Sequence, residues 1–175
     1  MTAATISDPV QTVLAEAERW INERERPRNS NRGVAIDFFL YHAIGDRDRP
    51  HAWKPYKLGI IGAPWCAAFV STVGRLAIGK AWPLEQTVRC TALGKEAVKK
   101  GILHERPEVG DLVLLYYANL GRYGHVGFVK EVNDDTITTI EGNTCPDGSR
   151  EGHGVFERPR AVTDSTKFVR WVDLL

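Results

Sequence analysis

The run Leu112-Val113-Leu114-Leu115-Tyr116-Tyr117 decides the fold, together with His125 to Val132, Asn133-Asp134-Asp135 and Thr136 to Glu141 behind it. The first piece is a short apolar run bounded by turn residues, which predicts a buried strand. The second predicts another strand, the Asn-Asp-Asp a turn, and the β-branched third piece a strand that pairs back on the second. Val155 to Arg158 and Phe168 to Val172 are weaker strand candidates. Upstream the texture is helical. Asp8-Pro9 is a helix start, with an acid at the N-cap and proline in the first turn, and Val10, Val13, Leu14, Ala17, Trp20 and Ile21 follow at helical spacing. This helix is expected to end before Pro27, since the residue before proline is pushed out of the helical region. Further helices are expected over about Val34 to Ile44 with Gly45 as C-cap, from near Pro64 to Gly79, and over about Thr91 to Lys100. Helices first and consecutive strands second predict an α+β domain with an antiparallel sheet.

The 175 residues suit one compact domain, residues 1–27 forming an N-terminal helix and residues 31–175 the motif-bearing core. A net charge of +1 gives no electrostatic case for nucleic acid. The alternating Glu and Arg between Arg19 and Arg28 read as a solvated helix face. No apolar run approaches the roughly 18 residues of a membrane span, and Met1 to Val10 is not a secretory signal, so synthesis without a signal peptide in the cytoplasm is expected. Cys66, Cys90 and Cys145 form no Cys-x-x-Cys pair, which argues against structural zinc. Cys90 with Cys145 is the pairing that would spare Cys66, although two reduced thiols are the simpler expectation.

Three segments carry chemistry. In Ala63-Pro64-Trp65-Cys66-Ala67-Ala68-Phe69-Val70, proline in the first helical turn puts Cys66 in that turn. Unpaired N–H groups and the helix dipole there favour a thiolate, the reactive form of cysteine. Trp65, one residue away, is expected to pack under a neighbouring loop while Cys66 faces the cleft. In Gly124-His125-Val126-Gly127 a histidine opens a strand between glycines, and its ordinary pKa of about 6.5 suits a general base. His42, His51, His104 and His153 fall in less telling places. In Ile140-Glu141-Gly142-Asn143-Thr144, Glu141 and Asn143 are two apart and share a strand face. The hairpin at Asn133–Asp135 returns this strand beside His125, so either residue can orient the imidazole.

These residues resemble a known family. Asn31-Arg32-Gly33, Pro64-Trp65-Cys66-Ala67-Ala68-Phe69-Val70, Gly110-Asp111, Gly124-His125-Val126-Gly127 and Glu141-Gly142-Asn143-Thr144 together look like CHAP, the cysteine, histidine-dependent amidohydrolases/peptidases. The resemblance implies a papain-like fold, with N-terminal helices packed on a small antiparallel β-sheet. It implies a peptidoglycan hydrolase, either an N-acetylmuramoyl-L-alanine amidase or an endopeptidase. Carried onto this chain, Cys66 is the nucleophile, His125 the base, and Glu141 the orienting residue with Asn143 beside it. Some members bind calcium near the nucleophile, but Asp46-Arg47-Asp48-Arg49 lacks an oxygen-rich ligand set, so neither metal nor other cofactor is expected. The implied setting is the cell wall, reached by a monomeric phage endolysin after holin release or by a secreted toxin, the latter with an immunity protein as partner. A papain-like enzyme acting on another peptide, or a non-catalytic module of the same fold, are the alternatives.

Overall fold

Two residues start the first helix. Asp8 is the N-cap, its carboxylate accepting from the Val10 N–H at 2.9 Å, and Pro9 takes the first helical position, where no intrahelical bond needs its missing N–H. The helix, α1, spans Pro9–Arg19 and buries Val13, Leu14 and Ala17. It stops well short of Pro27, and the reason lies in the sheet. Asn22 takes a left-handed φ of +80°. The Asn22 and Glu25 N–H groups then donate to the carbonyls of Val155 and His153 at 3.2 and 2.7 Å, and the Val155 N–H donates to Glu23 at 3.0 Å. Residues 22–25 thus exchange helical hydrogen bonds for pairing along a strand. The Glu/Arg cluster is accordingly not one solvated helix face, and Glu25 is buried.

The computed structural model describes residues 8–44, 61–147 and 152–175. Among these residues there are three further helices: α2 (Val34–Ile44), α3 (Cys66–Ile78) and α4 (Cys90–Lys100). The expected cap Gly45 lies outside the described residues. Pro64 precedes α3 instead of entering it, with Trp65 as N-cap and Cys66 as the first helical residue. α4 ends on Gly101 at φ +71°, whose N–H closes onto Ala97 and Val98.

Among the described residues six strands form one antiparallel sheet: β1 (Leu103–His104), β2 (Leu112–Tyr117), β3 (Arg122–Asn133), β4 (Thr136–Thr144), β5 (Gly154–Ala161) and β6 (Thr166–Val169), in the order β1-β6-β2-β3-β4-β5. The α+β, papain-like architecture of N-terminal helices on an antiparallel sheet is the one the sequence leads to. The two-residue β1 was not expected. β6 is shorter than expected, because after Val169 the chain turns through a 3-10 helix, Trp171–Leu174. The buried Trp171 indole donates to the Gly110 carbonyl at 2.7 Å, and Asp111 accepts from Arg170 at 3.1 Å. The Gly110-Asp111 pair is therefore an anchor for the chain's end.

α3 is the centre of the molecule, every residue from Cys66 to Gly74 being buried. Its Phe69, Val70 and Val73 belong to one core with Ile36 and Phe39 of α2 and Val126, Phe128 and Ile140 of the sheet. Val113, Val129, Ile137 and Phe168 form a smaller cluster on alternate strand positions. β2 thus feeds both clusters, Leu112 and Leu114 one and Val113 the other, which explains a continuous apolar run where one-sided burial would give alternation.

Trp65 is fully buried, stacked on Phe39 at 5.8 Å and edge-on to Phe69 at 6.5 Å. Truncating a buried tryptophan typically costs about 3–5 kcal/mol. Trp65→Ala is therefore expected to lower the melting temperature by on the order of 10 °C, as read by thermal denaturation. A melting temperature equal to wild type would exclude a core role.

Candidate active site

Three elements meet at the start of α3. Cys66 opens the helix, and its sulfur accepts from the backbone N–H of Ala67. β3 brings His125 and β4 brings Glu141. A register shift between Leu115 and Tyr116 pairs them with His125 and Tyr123, leaving Gly124 as an extra residue. Such a bulge bends a strand and re-aims the side chain beside it, here His125. Phe128 pairs with Ile140, so Gly127 sits opposite Glu141, and a Cβ on Gly127 would lie 2.5 Å from Glu141 Cγ. The glycine leaves the lane through which the Glu141 side chain crosses to the histidine. His125 Nε2 and Glu141 Oε2 are 2.8 Å apart, both side chains fully buried.

Every acceptor position of the Glu141 carboxylate is used. Oε1 accepts from Thr139 Oγ1 at 2.7 Å and Arg160 Nε at 2.8 Å, and Oε2 from Arg160 Nη2 at 2.6 Å as well as from the imidazole. Burial disfavours the Glu141 charge, but His125 and Arg160 hold the carboxyl well below the usual carboxylate range. His125 Nδ1 is buried without a hydrogen-bond partner among the described residues, and the ring couples to the Cys66 thiol. Burial opposes charge on the imidazole. The Glu141 charge, the neighbouring Cys66 thiol and the hydrogen bond with Glu141 outweigh it and raise the pKa from 6.5 to about 9.

Cys66 has a second neighbour. Its sulfur lies 3.5 Å from that of Cys90, the first residue of α4. The Cys66 thiol is driven well below its ordinary range, first by the hydrogen bond with Cys90 and then by His125 and the Ala67 N–H, against the effect of burial. Cys90 is pushed well above its range by the same hydrogen bond and by burial. All three cysteines are reduced and buried, and Cys145 contacts Asp147, so the thiol that faces Cys90 is Cys66 and not Cys145.

Asn143 does not reach the imidazole. Its φ of +56° breaks the strand alternation that would align it with Glu141. With the amide oriented so that its oxygen faces a donor and its nitrogen faces acceptors, the oxygen accepts from the Trp65 N–H at 3.3 Å, and the nitrogen donates to the Gly152 carbonyl at 2.9 Å and to Asn31 Oδ1 at 3.2 Å. It pins the N-cap of α3. Gly142 permits the approach, since a Cβ there would meet the Trp65 ring at 2.6 Å. Below, Glu25 accepts from the Trp65 indole at 2.9 Å. Arg160, Thr139, Cys90 and Glu25 were not anticipated from the sequence. Arg160 had a signal, because it lies on the strand candidate at Val155, two residues beyond its expected end. The other histidines serve elsewhere, His42 against Phe38, His104 with Asp173 and His153 against Phe156, while His51 lies outside the described residues. Among the described residues no cluster of three His, Cys, Asp or Glu is arranged to hold a metal ion, and no helix is long and apolar enough to cross a membrane. Asp46 to Arg49 lies outside them.

A family model described as the CHAP domain matches residues 59–143, the segment that holds Cys66, His125, Glu141 and Asn143. This chain carries a CHAP domain. It is a hydrolase domain of that family. Arg160 and Glu25 lie outside the matched segment. Two solved structures are also similar to this chain. The crystal structure of Ly7917 is 17% identical over 61% of this chain and 53% of that one, with a TM-score of 0.40. The crystal structure of Ly7917 with the hydrolyzing product of MDP is 15% identical over 91% of this chain and 62% of that one, with a TM-score of 0.48. The chain thus spans between about half and three fifths of the Ly7917 chain in these two structures. No curated protein sequence matches it.

The pairing of His125 with Glu141 makes two properties pH-dependent. The His125 pKa of about 9 lies above its ordinary 6.5. Its protonation therefore stabilises the fold fully below about 6.5, and this contribution is lost as pH rises through about 9. Catalysis that uses a thiolate–imidazolium pair should decline over the same alkaline limb. Glu141→Gln removes the charge that favours imidazolium. It is expected to move that limb to lower pH and to reduce turnover roughly a hundredfold or more. A pH–rate profile for the variant that overlies wild type would refute the coupling.

Proposed function

We propose that this CHAP domain hydrolyses an amide bond of bacterial peptidoglycan, with Cys66 as nucleophile and His125 as acid and base. The observation that carries the reading is the hydrogen-bonded line from Arg160 through Glu141 to His125, whose charge in turn acts on the thiol of Cys66 at the start of a buried helix. CHAP membership supplies the reaction class, and the family resemblance supplies the wall as substrate.

In this reading the Cys66 thiolate attacks the amide carbonyl, and the charge that develops on oxygen is met by N–H groups of the first turn of α3. The His125 imidazolium gives its proton to the leaving amine, which departs and leaves a thioester on Cys66. His125, now neutral, takes a proton from water, and the resulting hydroxide releases the acid and regenerates the thiolate. Glu141 holds the ring by Nε2 throughout and stabilises the imidazolium without itself taking the proton. Asn143, whose amide is engaged with Trp65, Gly152 and Asn31, positions the helix that presents Cys66.

The enzyme of this proposal acts at the wall, as an endolysin after holin release or as a delivered toxin with an immunity protein. Digestion of purified peptidoglycan, with the new ends identified by mass spectrometry, distinguishes amidase from endopeptidase. Cys66→Ala and Cys66→Ser are expected to release no fragments while melting within a few degrees of wild type. Fragment release by either at the wild-type rate sinks the assignment. Digestion is also expected to persist in EDTA, and loss of activity with recovery on adding calcium or zinc would show a metal requirement.

A further inference from the structure

We propose that Cys66 and Cys90 are a peroxide-sensitive dithiol, which hydrogen peroxide converts into a disulfide that reversibly silences the site. Cys90 has no place in the hydrolytic steps above, yet its sulfur lies 3.5 Å from the Cys66 sulfur in the interior. The pair arises from the fold. α3 and α4 each begin at a cysteine, so two helix N-termini, where unpaired N–H groups favour sulfur anions, face one another through their thiols. A disulfide needs about 2.05 Å between sulfurs, so closing the pair takes an approach of about 1.5 Å. Cys145, engaged with Asp147, stands outside this arrangement.

The chemistry balances in two steps. The Cys66 thiolate attacks one peroxide oxygen. An S–O bond forms, the O–O bond breaks and hydroxide leaves, so that the sulfur loses two electrons and the peroxide gains them. Cys90 then attacks the sulfenic sulfur of Cys66. An S–S bond forms, the S–O bond breaks, and the departing hydroxide leaves as water with the Cys90 proton.

The order of events follows from what surrounds each sulfur. Cys66 is the thiolate of the resting pair and reacts first. Cys90 is kept protonated mainly by its hydrogen bond with Cys66, then by burial, then by the Cys66 charge, while Arg122 and a backbone N–H pull the other way. A sulfenic acid carries no such charge. Oxidation of Cys66 thus removes the charge that helps hold the Cys90 proton, while Arg122 still favours the second attack. Interception by Cys90 also keeps Cys66 from further oxidation to a sulfinic acid, which thiol reductants do not reverse.

The inference rests on the proposed role of Cys66 only for its effect on activity; the disulfide itself is read by mass. The full chain is treated with a few equivalents of hydrogen peroxide, its remaining thiols are alkylated, and its peptides are mapped. The expected result is a Cys66–Cys90 cross-linked peptide with Cys145 alkylated. Wall digestion should be lost on oxidation and restored by dithiothreitol. In Cys90→Ser, checked for folding by its melting curve, the same treatment should carry Cys66 to sulfinic acid, with no recovery under dithiothreitol. A wild-type protein in which Cys66 becomes sulfinic while Cys90 stays alkylatable overturns the proposal, as does a Cys90–Cys145 cross-link. Should the reduced protein digest no wall at all, the functional reading fails while the mapped cross-link still decides this one.

Discussion

Glu141 carries its charge with no exposure to solvent, and much of the site follows from that one condition. A buried carboxylate left without partners is disfavoured by several kcal/mol. Here the compensation comes from Arg160 on one neighbouring strand, His125 on the other and Thr139 on its own. Gly127 is obligatory because a side chain there would occupy the lane the carboxylate crosses. The arrangement fixes the imidazole from one side, so that its other nitrogen is left for the thiol. The charge that orients the histidine is thus itself held by the sheet's pairing order.

The start of α3 answers to a second constraint, close packing. Trp65 is gripped at three points: its backbone N–H by Asn143, its indole N–H by Glu25 and its ring by Phe39. Each contact comes from a different part of the chain, and together they fix where the first helical residue, Cys66, stands. An asparagine at φ +56° and a glycine whose Cβ would strike the indole are both local departures from strand geometry. They occur where β4 passes the helix end, and backbone irregularity of that kind concentrates at functional sites.

Much of this was legible in the sequence, and the parts that were not share a cause. The Asp8 cap, the Gly101 stop, the apolar run of β2 and the turn at Asn133–Asp135 are local signals, and the elements lie where those signals put them. The proximity of His125 and Glu141 needed only one hairpin register. Arg160 was missed because Pro159 looks like the end of a strand. β5 is an edge strand, where a missing N–H costs no ladder bond, so the strand runs on through the proline. Cys90 was missed because the meeting of two helix starts is a tertiary fact that no spacing encodes. Glu25 was hidden in a cluster of charges that resembles a solvated face until the helix stops at Arg19. The same stop explains why α1 is shorter than its apolar spacing suggests.

The pairing of residues 22–25 along β5 bears on how small the catalytic unit can be made. Expressing residues 59–143 alone would discard β5, and Arg160 with it, leaving the Glu141 charge without its guanidinium. Trimming only the front, to begin after Asn31, keeps Arg160 but strips the cover from the start of the outer edge of β5, at His153 to Val155. A bare strand edge is a template for a second chain. The shortened protein would be prone to self-association through the strand that holds its own arginine in place, so the N-terminal segment acts as a built-in guard against aggregation.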